Sequence, residues 1–141
     1  MYKNRVLVLA MVAIFAFGLL VFAQGCQPPE AEQIKVYKAA DLAHITLTRR
    51  ASGNTPAVEK TIEDEATMQA LLDVIYSVTY TKGKFTVSGP KGKYRVLMIQ
   101  KDDPNKGYAF EILDSDRLFK GSNYYTASDS VDLAKYDAFL D

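Results

Sequence analysis

Cysteine is nearly missing from this 141-residue chain, and the one present, Cys26, stands just beyond the long apolar run near the N-terminus. A lone cysteine forms no disulfide within its own chain and no cysteine-based metal site, so the fold has to be held by its core alone. Tryptophan is absent and histidine occurs once, at His44. A single histidine on an alternating strand fits a surface position better than a general base. The Gly-x-Ser-x-Gly, phosphate-loop and His-Glu-x-x-His patterns do not occur. Charge of one sign is not in excess either, since 17 basic residues face 17 acidic ones, which argues against a dedicated nucleic-acid binder. Asp102-Asp103-Pro104-Asn105 and Asp114-Ser115-Asp116 are rich in oxygen ligands but lack the spacing of a calcium loop, and turns use the same residues for conformational reasons. These shortages lead to an expectation of no cofactor, no metal and no catalytic residue.

What is there begins with Lys3 and Arg5, followed by 18 apolar residues from Val6 to Ala23. Positive charge, an apolar stretch and a small residue before a cut site describe an export signal, removed before the rest folds. The run is also close to the ~20 residues that a helix needs to cross the hydrocarbon core, which describes a retained anchor instead. Both readings leave Lys3 and Arg5 inside and the remainder outside the cytoplasm. Ala23-Gln24-Gly25-Cys26 resembles the lipobox of bacterial lipoprotein precursors, with Ala23 where that family usually carries Leu and Gln24 where it usually carries a small residue. The resemblance implies cleavage after residue 25, acylation of Cys26 by diacylglyceryl and further fatty acyl (palmitate-type) chains, and a membrane-anchored protein on the extracytoplasmic face. Acylation would account for the odd cysteine.

Past Cys26 the chain is polar and Pro-rich through Gln33, a composition that buries too little to fold and reads as a tether. The domain organisation is then a signal peptide at 1–25, a lipidated cysteine and tether at 26–33, and one globular domain at 34–141. Removing the signal takes two basic residues and no acidic one, leaving a formal charge of −2. Ile34 to Tyr37 is either a short strand or a packed leading segment. His44 to Arg49 and Ala57 to Ile62 alternate with period two around the turn residues Ser52 to Pro56, a hairpin. Asp64 is placed to cap a helix in which Met68, Leu71, Leu72, Ile75 and Val78 form one stripe, ending near Ser77. The second half holds strands at Phe85 to Val87, Lys93 to Lys101, Tyr108 to Leu113, Leu118-Phe119 and Tyr124 to Thr126. A short helix capped by Asp129 or Ser130, with Leu133, Tyr136, Phe139 and Leu140 as its stripe, is expected on a sheet edge. The fold class is α+β, a single domain with a mostly antiparallel sheet, one helix across a face and a short C-terminal helix. By order of elements over residues 41–126 this is similar to small uncharacterised lipoprotein domains of Gram-positive bacteria, a similarity that carries no motif and implies no activity.

Charge is unevenly distributed. Cys26 to Asp73 sums to −3 and Asp102 to Asp141 to −5, whereas Val74 to Lys101 has six basic residues and no acidic one. Lys82, Lys84, Lys91, Lys93 and Arg95 cluster there among Gly83, Gly89, Gly92 and the aromatics Tyr80, Phe85 and Tyr94. One reading is a solvated hairpin whose lysines protect a sheet edge. The other is an anion-binding loop, in which glycines let backbone N–H groups approach an oxyanion and lysines add charge. The corresponding function is a membrane-anchored binding or accessory module at the cell envelope, meeting anionic lipid, a wall polymer or an envelope protein. An envelope enzyme with a site assembled only in three dimensions is the alternative. The anchor is directly testable: Cys26→Ala is expected to leave an unprocessed precursor, and mass spectrometry of the wild-type protein should find an acylated Cys26 as its first residue. Peptides containing Lys3 on the mature protein would establish the retained helix.

Overall fold

The computed structural model describes residues 31–86 and 91–141, without the side chains of Lys84, Phe85 and Thr86. Cys26 and the whole of the apolar run lie outside the described residues, as do Val87 to Pro90. One compact unit spans Ala31–Asp141. Its strands are β1 (Leu42–Arg49), β2 (Val58–Ile62), β3 (Tyr80–Thr86), β4 (Tyr94–Gln100), β5 (Gly107–Ile112), β6 (Arg117–Lys120) and β7 (Asn123–Ala127). They form one seven-stranded sheet in the order β2-β1-β4-β5-β6-β7-β3, and every neighbouring pair is antiparallel. With helices α1 (Glu65–Ile75) and α2 (Ala134–Asp137) added, the domain is mostly antiparallel sheet with some helix.

The alternation of β1, β4 and β5 decides which face is buried. Ile45 and Leu47, Tyr94, Val96 and Met98, and Phe110 and Ile112 point to one side and are nearly sealed from solvent. Register aligns them in rows, Leu47 with Val96 and Phe110 and Ile45 with Met98 and Tyr108, so side chains meet across three strands. The α1 stripe of Met68, Leu71, Leu72 and Ile75 lies in the same core. Each such side chain contributes about 1.5–3 kcal/mol on burial. Asp64 caps the helix as its sequence position implied, its carboxylate accepting from the Thr67 N–H at 2.8 Å. The helix stops at Ile75, with Val78 already beyond it and half-buried. Because β2 and β3 are the two sheet edges, α1 and its flanking residues carry the chain from one edge to the other across the core face.

Three expectations are corrected. β3 begins at Tyr80, five residues earlier than Phe85, and pairs with β7. Three strands stand between β3 and β4, and the two run in the same direction, so the lysine-rich stretch is not a hairpin. The C-terminal helix is only four residues long. Its N-cap is Leu133, where Asp132 accepts from the Ala134 N–H, and Asp129 bonds Ser130 instead. Nor does it sit on an edge: Tyr136 is wholly buried with its ring 5.2 Å from that of Tyr94 on a central strand.

The leading segment is packed, not paired as a strand. Ile34, Tyr37 and Ala39 are buried, and with no ladder beside it the backbone finds side-chain partners. The N–H of Lys35 donates to the Tyr108 hydroxyl, that of Tyr37 to the Tyr76 hydroxyl, and that of Ala39 to Gln69 Oε1, while the Tyr76 hydroxyl donates to the Lys35 carbonyl. Glu32 and Gln33, read from sequence as tether, already belong to the sheet edge. Gln33 bridges to Thr81, and the Lys82 N–H donates to the Glu32 carbonyl at 2.8 Å. This covers part of the exposed ladder of β3.

Two substitutions probe the core. Leu71→Ala should cost about 2–5 kcal/mol in urea unfolding of residues 31–141, because it empties a sealed position between helix and sheet. Tyr136→Phe should be close to neutral, since the buried Tyr136 hydroxyl has no partner within 3.5 Å among the described residues and only the Tyr80 hydroxyl as a more distant polar neighbour.

Candidate functional site

The strands decide which of the basic residues meet. β1 ends in Arg49, followed by Arg50, and its antiparallel register with β4 sets Arg49 opposite Tyr94 and Thr48 opposite Arg95. The Arg50 N–H donates to the Lys93 carbonyl at 3.0 Å. Arg50 is thereby set on the side of Lys93, Arg95 and, just upstream, Lys91, while Arg49 turns with Tyr94 to the core face. The result is a basic corner.

The two arginines are held by internal carboxylates on opposite faces of the sheet. On the core side, Arg49 Nη1 and the Tyr94 hydroxyl both donate to Asp137 Oδ1 at 2.9 Å. On the other side Glu111 receives Arg50 through Nη2 at 2.6 Å and Nε at 3.4 Å, and its second oxygen accepts the Gly92 N–H at 3.1 Å. Charge-assisted, two-point contacts of this kind fix side-chain direction as well as adding energy. Gly92 is required for the close approach, because a Cβ there would lie 2.7 Å from the Ile112 carbonyl oxygen and 2.9 Å from Glu111 Cβ. A glycine N–H does meet an oxyanion in this stretch, but the oxyanion is the chain's own Glu111.

Lys91, Lys93 and Arg95 are exposed, and among the described residues no carboxylate oxygen lies within 4.0 Å of them. Lys93 Nζ stands 5.5 Å from the centre of the Tyr94 ring. The other two residues of the sequence-derived set lie elsewhere. Lys82 is on edge strand β3, where it forms an ion pair with Glu32 at 2.8 Å that lowers the Glu32 carboxyl and raises the Lys82 ammonium. Lys84 is on the same strand, its side chain outside the described residues. Sequence reasoning therefore grouped five residues of which the structure brings three together, and it missed Arg49 and Arg50. The one signal for them was an Arg-Arg pair closing an alternating strand, and its meaning depends on a pairing partner 45 residues away. Ser88-Gly89-Pro90-Lys91 has the spacing of a Ser/Lys pair, but Ser88 lies outside the described residues.

Electrostatically the region consists of two arginines paired with carboxylates, one on each face, and three exposed cations without an ion pair among the described residues. Such a set attracts anionic charge over a range near the Debye length of about 8 Å at physiological salt, with little stereochemical demand. The acid and alkaline limits of its support follow from Asp137 and Tyr94. Burial acts to raise the Asp137 carboxyl, but the hydrogen bonds from Arg49 and Tyr94 and the Arg49 charge outweigh it and hold the group below its ordinary 3.8. Burial and the Asp137 carboxylate push Tyr94 from 10.0 up to about 12.

The depressed carboxyl contributes stability above pH 3.8 that is lost as pH falls through the lower folded value. The raised phenol contributes stability present below pH 10.0 that is lost as pH climbs towards about 12. Asp137→Asn should therefore weaken the acid dependence of unfolding and bring the Tyr94 ionisation, followed by ultraviolet difference absorbance, closer to pH 10.0. Unchanged curves on both sides would mean that the Arg49–Asp137–Tyr94 contacts do not persist in solution. Among known proteins, no family model, no curated protein and no solved structure matches this chain.

Proposed function

We propose that this is a membrane-anchored extracytoplasmic lipoprotein whose α+β domain is a binding or accessory module of the cell envelope, and that it holds an anionic envelope polymer through the corner formed by Lys91, Lys93 and Arg95. The anchor rests on the Ala23-Gln24-Gly25-Cys26 sequence behind its apolar run. The observation that supports the binding reading is the β1–β4 register, which brings Arg50 beside the exposed cations of β4, with Glu111 and Glu59 on that face to offset four cations, while Arg49 is held on the core side by Asp137. Backbone donors do not direct the ligand at Gly92, because that N–H is occupied. Recognition is thus by charge, which suits a flexible chain with repeated phosphates better than a small ligand that needs a fixed cradle.

A chain of poly(glycerol phosphate) immobilised on beads provides the test. The full-length protein in mild detergent should bind it at low salt and release progressively as salt rises. Charge reversal of Lys91, Lys93 and Arg95 to Glu together should abolish that binding. Lys82→Glu alone should reduce it far less, because Lys82 is on another strand and already paired with Glu32. Equal loss in the two variants, or retention by the triple variant, would remove the corner from consideration.

A further inference from the structure

Val36 is the large hydrophobic residue left exposed among the described residues, at 68%. A single exposed valine is ordinary by itself. Its position is what distinguishes it. The segment that carries it is fixed from both sides: Ile34 and Tyr37 are buried, and the Lys35 and Tyr37 N–H groups are bonded to Tyr108 and Tyr76. Val36 is held outward by that framework between two exposed lysines, Lys35 and Lys38. Lys35 Nζ lies 4.6 Å from the centre of the Tyr37 ring, and Lys120 Nζ lies 4.8 Å from that of Tyr108. Lys35 and Val36 form part of the wall of an open cavity of about 370 Å³ that also takes in Lys101 and the acidic Asp41 and Asp102. Two lysines, Lys35 and Lys101, offset its two acidic side chains.

Chain length points to the occupant. Five residues separate Cys26 from Glu32, which is pinned to the edge of β3. At ~3.3 Å per residue the six steps from Cys26 to Glu32 reach about 20 Å and the four steps on to Val36 about 13 Å. A domain held this closely has to turn some surface to the bilayer, and an apolar tip between cations is suited to a headgroup region that is partly apolar and partly anionic. We propose that the Lys35–Val36–Lys38 surface rests on the bilayer that holds the anchor, with Val36 entering the headgroup layer and the two lysines facing anionic headgroups. This depends on the anchored reading of Cys26 and adds an orientation to it.

The full chain, reconstituted into vesicles of phosphatidylcholine with or without phosphatidylglycerol, tests anchor and orientation separately. Flotation with the vesicles, of protein shown by mass spectrometry to begin at an acylated Cys26, reports the anchor. Orientation is read from a fluorophore attached at Ala40→Cys, an exposed position that leaves Val36 intact, and quenched by a phosphatidylcholine carrying a nitroxide on its headgroup. A label at Thr61→Cys, exposed on edge strand β2, is the reference. The expected result is flotation of both, strong quenching at position 40, weak quenching at 61, and stronger quenching at 40 with phosphatidylglycerol present. Val36→Asp on the labelled chain should float equally while losing most of that quenching, and Lys35→Glu with Lys38→Glu should lose the phosphatidylglycerol dependence. Flotation with equal quenching at 40 and 61, or quenching indifferent to Val36→Asp, would overturn the orientation and leave the anchor standing. Absence of flotation would overturn both.

Discussion

The pairing of β1 with β4 is the contact on which the domain depends, because it joins residues about fifty positions apart into the centre of the sheet. Leu47 and Val96, and Ile45 and Met98, are aligned by it, and with Phe110 and Tyr108 of β5 they make the floor on which α1 lies. The same ladder, continued by one residue past the end of β1, sets Arg50 beside Lys93. Core and basic corner are consecutive parts of a single register. A slip of one residue would turn Ile45 and Leu47 to solvent and separate the cations at the same time.

Tyrosine carries much of the remaining architecture. Tyr76 and Tyr108 present their hydroxyls to the backbone of the leading segment, which has no strand partner of its own there. Tyr94 joins the central sheet to Asp137 and so to Arg49. Each ring supplies apolar area while its hydroxyl meets a polar group at the core's margin, a use to which phenylalanine is unsuited. Tyr136 departs from this pattern, since its ring is sealed against Tyr94 and its hydroxyl has no partner among the described residues.

Local patterns were legible wherever one face of an element is buried and the other wet. Alternation gave β1, β2, β4 and β5, and the spacing of Met68, Leu71, Leu72 and Ile75 together with Asp64 gave α1 and its cap. The first half of β3 is not legible because Lys82, Gly83 and Lys84 have little strand preference; the segment is extended because β7 on one side and Gln33 on the other complete its hydrogen bonds. The C-terminal segment reads as a longer helix because Leu133, Tyr136, Phe139 and Leu140 repeat with helical spacing, whereas only Ala134–Asp137 forms regular helix and turns packed on the core hold the rest.

The sequence by itself determined the apolar N-terminal run with its lone cysteine, the amphipathic identity of most elements, and the concentration of positive charge between Val74 and Lys101. These are properties of composition and short-range order, which no distant contact alters. Strand order, and with it the division of that charge, was decided only in three dimensions. Lys82 went to an edge strand and an ion pair with Glu32, while Lys91, Lys93 and Arg95 went to the corner where Arg50 arrives from the end of β1. The reason is that strand pairing is selected by which apolar faces complete a common core, so charged residues on the other positions are carried to wherever the core places their strands.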